Sequence, residues 1–253
     1  MISTMPRFFF FFTLVFSTIA AIQPNVAEAS SPKQIMTNSA VINNPPAWLT
    51  NSRVQNVVDE IERKLEWSTR RVPVTFYSSQ AQLLKNFNGK AAKEIMAFTK
   101  RSDNSIHIGP KVTRANFDQI FGHELAHVII FQKYKSAIPA WLNEGLSTSV
   151  AGFKSVKFSW LAQQKPRIDV TKLRHPYEVG NFQRADVHYA ASFAVIKMLE
   201  KRCPSFRELL NLSLRSNMED YIKTFCNIPD LNKTFWAWVD ENARKGKNLN
   251  KYL

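Results

Sequence analysis

Cysteine and glycine are scarce in this chain, and acidic residues are too few to balance the basic ones. Two cysteines among 253 residues exclude a small disulfide-built protein, a Cys-rich zinc finger and an iron–sulfur ferredoxin. Only seven glycines, with no GxGxxG or GxxxxGKS/T string, argue against folds that bind phosphates through a glycine-rich loop. The whole chain is 45% hydrophobic and 21% charged, which predicts one or two globular domains with a hydrophobic core.

The first thirty residues have the pattern of an export signal. Arg7 precedes an apolar run over residues 8–22, and Ala27-Glu28-Ala29 supplies the small residues of a cleavage site. We therefore predict a signal peptide over residues 1–29 and an exported protein, in the bacterial periplasm or outside the cell. The alternative is an uncleaved anchor, but the run contains polar residues and is short for a bilayer span of about 20 residues, so no stable transmembrane span is expected.

Export also decides how the two cysteines are interpreted. In an oxidising compartment, Cys203 and Cys226 are expected to form a disulfide with each other. The alternative is a pair of buried free thiols.

Hydrophobic periodicity predicts an α+β fold. Residues 30–47 are expected to be an irregular lead-in, residues 48–152 a subdomain with a small mixed sheet and helices, and residues 153–253 an all-helical C-terminal subdomain. Strand patterns occupy Val72–Tyr77, Glu94–Thr99 and Asn104–Ile108, and helical patterns occupy Asn51–Arg70, Ser79–Phe87, Thr113–Tyr134 and Pro139–Val150.

The segment His123-Glu124-Leu125-Ala126-His127 has the spacing HExxH within a helical pattern. Residues i and i+4 share a helix face, so both imidazoles can reach one ion, and zinc suits imidazole ligands. Glu124 is offset from both histidines and is free to lie beside a water molecule. The competing interpretation, a polar helix turn with solvated histidines, is disfavoured because the surrounding residues are largely apolar and burying unpaired histidines is costly.

A third ligand is available in the next predicted helix, which begins near Pro139. Glu144 lies about one turn into that helix and is the only carboxylate between Glu124 and Asp169. A first-turn carboxylate can also simply complement the helix dipole. A third histidine with the spacing HExxHxxGxxH is excluded, because residues 128–134 contain neither Gly nor His.

The string HELAH followed by PAWLNEGLS resembles the gluzincin metallopeptidases, in particular the small bacterial peptidase MA-like domains, whose second signature is P-x-W-L-x-E-G. The resemblance covers about residues 70–240 and implies a zincin-like fold. It implies one Zn²⁺ held by His123, His127 and Glu144, with Glu124 as general base. Residues 73–78, 104–108 and 189–194 are also similar to elements of that family.

Further roles follow for the predicted mechanism. Tyr189 and His188 are candidates for stabilising the oxyanion, and the resemblance favours Tyr189, although a buried aromatic can merely fill the core. The substrate backbone is expected to pair with an edge strand over Asn104–Ile108. His107 and His175 are interpreted as surface or structural residues.

The predicted function is therefore an exported zinc metallopeptidase acting on a polypeptide substrate, with endopeptidase activity as the default. The alternative is a catalytically idle module of the same fold whose basic surface holds an anionic envelope component. The net charge of +14 alone suggests a third possibility, nucleic-acid binding. We exclude nucleic acid as a partner because the chain has a predicted signal peptide and no recognisable nucleic-acid-binding motif.

Overall fold

The computed structural model describes residues 34–87, 95–153, 156–174, 184–215 and 217–249. The predicted signal peptide, residues 1–29, lies outside this part of the chain. Among the helices in these ranges, none combines the length and the apolar character that crossing a bilayer requires.

A five-stranded mixed sheet lies in the first half of the fold, with the order β1-β2-β3-β5-β4. Its strands are β1 (Gln34–Met36), β2 (Ala40–Asn43), β3 (Val72–Phe76), β4 (Ala97–Lys100) and β5 (Ser105–Ile108). The three central strands β2, β3 and β5 are parallel, whereas β1 and β4 pair antiparallel at the two edges. The chain is therefore α+β with a small mixed sheet, as the sequence predicts.

The N-terminal part of this sheet corrects the prediction of an irregular lead-in over residues 30–47. Residues 34–43 form β1 and β2, and Ile35, Ala40 and Ile42 are fully buried. β2 is held by its parallel pairing with β3, which places Ala40 opposite Val72. That pairing is non-local, so the short segment taken alone gives no sign of it.

The position of β5 corrects the prediction that Asn104–Ile108 is an edge strand. β5 pairs with β3 on one side and with β4 on the other, and all four of its residues are buried. The edge on this side of the sheet is β4.

Two helices, α1 (Asn51–Lys64) and α3 (Phe117–Tyr134), cover one face of the sheet and build the main core with it. α1 begins after Thr50, whose hydroxyl accepts a hydrogen bond from the backbone N–H of Arg53. The opposite face is partly covered by α2 (Gln80–Lys85), where Leu83 packs with Ile95 and Phe98.

The next helix, α4 (Ala140–Val150), packs against α6 (Ala185–Arg202) at very short range. Gly145 makes this possible: a Cβ atom at this position would lie 2.2 Å from the backbone oxygen of Ser192. α4 is connected to α3 by residues 135–139 only. The two helices that carry the predicted metal ligands are therefore neighbours in both sequence and space.

The described residues of the second half are mainly helical and include one short strand pairing. They contain α5 (Phe158–Gln163), α7 (Phe206–Ser213), α8 (Met218–Thr224) and α9 (Leu231–Arg244), together with β6 (Val156–Lys157) paired to β7 (Asn248–Leu249). The all-helical prediction for residues 153–253 misses this pairing, because two-residue strands are defined by their partner and not by a sequence pattern. The described residues between 34 and 249 belong to one compact unit, and the subdomain boundary at residues 152/153 stays a prediction.

Cys203 and Cys226 lie at disulfide distance, with their Cα atoms 4.4 Å apart. Cys203 directly follows α6, and Cys226 lies two residues after α8. The pair therefore joins the two ends of the segment that contains α7 and α8.

Candidate metal centre

His123 and His127 lie one turn apart on α3, and their imidazoles face the same point. Their Nε2 atoms are 2.9 Å apart. Oε2 of Glu144, from α4, lies 3.6 Å from Nε2 of His123 and 3.5 Å from Nε2 of His127. The structure thus brings together the three side chains that the sequence analysis predicts as ligands.

The positions of these three atoms fit a zinc ion. Given the distances between them, one point lies about 2 Å from all three, which is the usual length of zinc–imidazole and zinc–carboxylate bonds. Two neutral nitrogens and one carboxylate oxygen are a donor set that zinc accepts, and three protein ligands leave a fourth position for a water molecule. The group is therefore able to hold a metal ion.

The three side chains are largely shielded from solvent, with exposed fractions of 12% for both histidines and 8% for Glu144. Burial lowers the pKa of His127, but the negative charge of Glu144 outweighs this effect, and the pKa rises to about 9. Without a metal, His127 would therefore be an imidazolium paired with Glu144 near neutral pH. A metal ion would take the place of that proton.

The second ring nitrogen of His127 is held by α4. Nδ1 lies 3.0 Å from Oδ1 of Asn143 and 3.0 Å from Oγ of Ser147. A histidine that binds metal through Nε2 carries its proton on Nδ1, and these oxygens accept it, which fixes the tautomer and the ring orientation. The sequence analysis assigns no role to Asn143 or Ser147. Their i, i+4 spacing around Glu144 is the signal that points to them, because it places both on the helix face that meets α3.

Glu124 is buried beside the ligands and is held by the edge strand. Glu124 directly follows His123 in the chain and is buried. The hydroxyl of Thr99 lies 2.8 Å from its Oε2 atom. Thr99 belongs to β4, so the sheet edge and the predicted general base are in direct contact. No local sequence pattern connects Thr99 with Glu124, since the contact depends on how α3 packs on the sheet.

Aromatic side chains lie on the other side of His123. The ring centroid of Tyr189, from α6, is 6.4 Å from that of His123, and the ring of Phe153 is 5.4 Å away. His188 is oriented differently, because its Nδ1 atom lies 3.2 Å from the backbone oxygen of Arg174. Of the two predicted oxyanion donors, Tyr189 is therefore the one whose ring contacts the ligand group. His175 lies outside the described residues.

His107 is buried in a separate polar chain and does not reach the ligands. Its Nδ1 atom lies 2.7 Å from the hydroxyl of Tyr77, and its Nε2 atom lies 2.8 Å from the hydroxyl of Ser105. In the sheet His107 is paired with Phe98, whereas Thr99 is paired with Ile106. Because successive side chains point to opposite faces, His107 and the Glu124-contacting Thr99 lie on opposite sides of the sheet. The structural interpretation of His107 agrees with this position.

A comparison with protein-family models and with curated protein sequences finds no match for this chain. What can be concluded about the site therefore rests on its own residues. They form a buried His-His-Glu group that is able to hold a metal ion.

Proposed function

We propose that this protein is an exported zinc metallopeptidase of the gluzincin type with a zincin-like fold. The observation that carries the proposal is the convergence of His123, His127 and Glu144 on one point, with Glu124 next to His123 in the chain and its carboxylate held by Thr99. A structural zinc site would use four protein ligands, whereas this group offers three. That arrangement is typical of catalytic sites.

A bound zinc ion would lower the pKa of a water molecule and polarise the carbonyl group of the scissile peptide bond. Glu124 would accept a proton from the attacking water at its carboxylate and deliver it to the leaving amine nitrogen. The new C–O bond would form first and leave a negative charge on the former carbonyl oxygen. The C–N bond would break in the second step, when Glu124 delivers to the nitrogen the proton that it accepted from the water. Its burial and its contact with Thr99 keep this carboxylate in one place between the two steps.

Two further groups would act on the substrate. The hydroxyl of Tyr189 would donate a hydrogen bond to the oxyanion, because its ring already lies against His123. The exposed edge of β4 would pair with an extended substrate backbone, and Thr99 on this strand places the pairing next to Glu124. The substrate would accordingly be a polypeptide bound in an extended conformation.

The experiment that tests the proposal measures zinc content and peptide cleavage on the same preparations. Wild-type protein is expected to bind one zinc ion and to cleave members of a peptide library. Glu124→Gln is expected to keep zinc but to lose about 10²–10⁴-fold in rate, since only the proton-transfer group is removed. Glu200→Gln makes the same chemical change at a surface position of α6, where Glu200 pairs with Lys197, and should cleave at the wild-type rate.

Three outcomes would contradict the proposal in different ways. A wild-type protein that binds no transition metal under any loading condition would remove its basis. A Glu124→Gln variant that cleaves as fast as wild type would refute the role of Glu124. A protein that binds zinc but cleaves no peptide would be a binding module with an idle site.

A further inference from the structure

A small pocket of about 100 Å³ opens directly beside the ligand group, and Glu144 forms part of its wall. The pocket lies between the C-terminal end of α3, the start of α4 and the turn between β4 and β5. Its floor is apolar, with Phe131 and Ile138 among its lining residues, and its charged rim consists of Arg101 and Lys135. Among the described residues that line it, Glu144 is the only carboxylate.

Arg101 makes no ion pair with any residue in the described ranges, although a carboxylate is close in sequence. Asp103 lies in the same turn, but it is engaged by Lys100 at 3.5 Å and accepts a hydrogen bond from Ser105 at 2.5 Å. Asp103 therefore neutralises Lys100, whereas Arg101 remains at the pocket. Because a guanidinium is a strong donor for carboxylates, the position of Arg101 at the rim points to an anionic ligand.

The end of α3 shows the same contrast. Lys133 is paired with Glu66 at 3.4 Å and already places a cation in the last turn, where it complements the helix dipole. Lys135 makes no ion pair with a described residue, and its Nζ atom lies 5.8 Å from the centroid of Phe131, over the pocket wall. The helix dipole therefore does not account for this second cation.

The backbone of Lys135 adds an independent observation. It has φ 55° and ψ −133°, a conformation that a glycine adopts freely and that costs any other residue free energy. A lysine at this position is therefore not explained by the turn that it forms. Its side chain, directed over the pocket, is the feature that a glycine would not provide.

Asn143 supplies a neutral donor to the same pocket. Its Oδ1 atom faces Nδ1 of His127 at 3.0 Å, so its Nδ2 amino group points away from that ring. Asn143 is a lining residue of the pocket, so its Nδ2 amino group is placed to donate a hydrogen bond to a bound ligand. Two cations and one amide donor thus surround a cavity whose wall is shared with the metal ligand Glu144.

From these contacts we propose that Arg101, Lys135 and Asn143 form a subsite for a carboxylate of the substrate, close to the bond that is cleaved. The inference rests on the proposed peptidase function and specifies its substrate class: peptides with an acidic side chain near the scissile bond, or with a free terminal carboxylate there. Arg101 would bind the carboxylate through its fork of N–H donors, and Lys135 would add a point charge.

Binding and cleavage are measured with one peptide set. The set consists of a neutral hexapeptide scaffold in which Glu replaces Gln at one position at a time, each member made with a free and with an amidated C-terminus. Binding is measured by calorimetry on zinc-loaded Glu124→Gln, which is expected not to turn the peptides over, and cleavage is measured on wild type. We expect Glu at one position, or the free C-terminus, to raise affinity and kcat/KM about tenfold or more, and added salt to reduce this gain.

The double variant Arg101→Gln/Lys135→Gln should erase this preference and leave the affinity for the neutral peptide within about twofold. Lys133→Gln removes one charge from the same end of α3 and should keep the preference. A preference confined to Glu assigns the subsite to a side chain, and one confined to the free C-terminus assigns it to the terminal carboxylate. Equal binding of acidic and neutral peptides, or a preference that survives in the double variant, would overturn the proposal.

The two proposals can fail separately. A wild-type protein that binds acidic peptides preferentially but cleaves none would refute the peptidase function and keep the subsite. A protein that cleaves neutral and acidic peptides equally well would refute the subsite and keep the peptidase.

Discussion

The Thr99 hydroxyl has one hydrogen and faces two acceptors on Glu124, the carboxylate Oε2 at 2.8 Å and the backbone oxygen at 3.0 Å. Both contacts tie the predicted general base to the edge strand. When the hydroxyl donates to Oε2, the second carboxylate oxygen is left for a water molecule. Thr99 is therefore a positioning residue for Glu124.

Replacing Thr99 tests this role. We expect Thr99→Val, which keeps the shape and removes the donor, to lower kcat about tenfold with little change in KM, because only the orientation of Glu124 is affected. Thr99→Ser retains the hydroxyl and should restore most of the rate. Steady-state kinetics on one substrate measures both parameters. A Thr99→Ser variant as slow as Thr99→Val would show that the hydroxyl is not the group that matters.

His107 is the other residue whose hydrogen bonds specify its state. Ser105 donates to Asp103, so its oxygen is left to accept from Nε2–H of His107, and Nδ1 then accepts from Tyr77. This assigns a neutral imidazole. Burial lowers the pKa of His107, and the opposing attraction of Asp103 does not reverse the shift.

A pH dependence of stability follows from this pKa. Above about pH 6.5 the ring is neutral in both the folded and the unfolded state, so it contributes no pH dependence. As the pH falls below that value, the unfolded chain takes up a proton that the folded protein resists, and the free energy of unfolding decreases. Urea unfolding at about pH 7.5 and about pH 5.5 should show a smaller decrease for His107→Gln than for wild type. Equal decreases would contradict the assignment of a neutral buried ring.

At the scale of helices and strands, the distance between α4 and α6 depends on Gly145. This residue follows Glu144 directly, and its missing side chain lets the backbone of Ser192 approach. The position of the carboxylate is therefore coupled to the packing of the two helices.

Gly145→Ala should separate these helices. An added Cβ would lie 2.2 Å from the backbone oxygen of Ser192, which cannot rotate away, so we expect a loss of about 2–3 kcal/mol in unfolding free energy and weaker zinc binding. Gly122→Ala is the matched control on α3. Its Cβ would meet the end of the flexible Ile61 side chain at 3.2 Å, and alanine favours a helix, so stability should change by less than about 1 kcal/mol. Similar losses in the two variants would contradict this account.

Local pattern predicted some elements well and others not at all. The strong helical periodicity places α3 and α4 within a few residues of their true bounds, and the Val-rich alternation places β3. The sequence pattern does not predict β1 and β2 as strands, because they have only three and four residues and β2 depends on its pairing with β3. Strand order is equally non-local, so no pattern within residues 104–108 shows that β5 lies between β3 and β4.

The site divides in the same way. Sequence spacing predicts His123, His127 and Glu144 as ligands. The two histidines lie one turn apart on one helix, and Glu144 lies on the next helix along the chain. Thr99, Tyr189 and Phe153 come from β4, α6 and the segment after α4, so their positions follow from tertiary packing. The family resemblance indicates Tyr189, whereas no pattern within this chain does.

For the molecule as a whole, the Cys203–Cys226 pair lies within the helical second half, away from the ligand-bearing helices in sequence. Cross-linking residues separated by 23 positions restricts the unfolded chain, and the chain-entropy model gives about 3 kcal/mol for a loop of this size. The double variant Cys203→Ser/Cys226→Ser should therefore unfold about 6–12 °C lower. Thermal unfolding followed by circular dichroism measures this shift. Wild type treated with a reductant should match the variant, and an unchanged midpoint in both would show that the bridge adds no stability.

The same bridge has a consequence for a chain that is cut by another protease. Residues 204–225 are the part of the chain that the Cys203–Cys226 disulfide closes into a covalent loop. A single nick anywhere within it yields two fragments that remain covalently linked through sulfur. Such a nicked molecule migrates as one band on a denaturing gel until a thiol is added, and then separates into two.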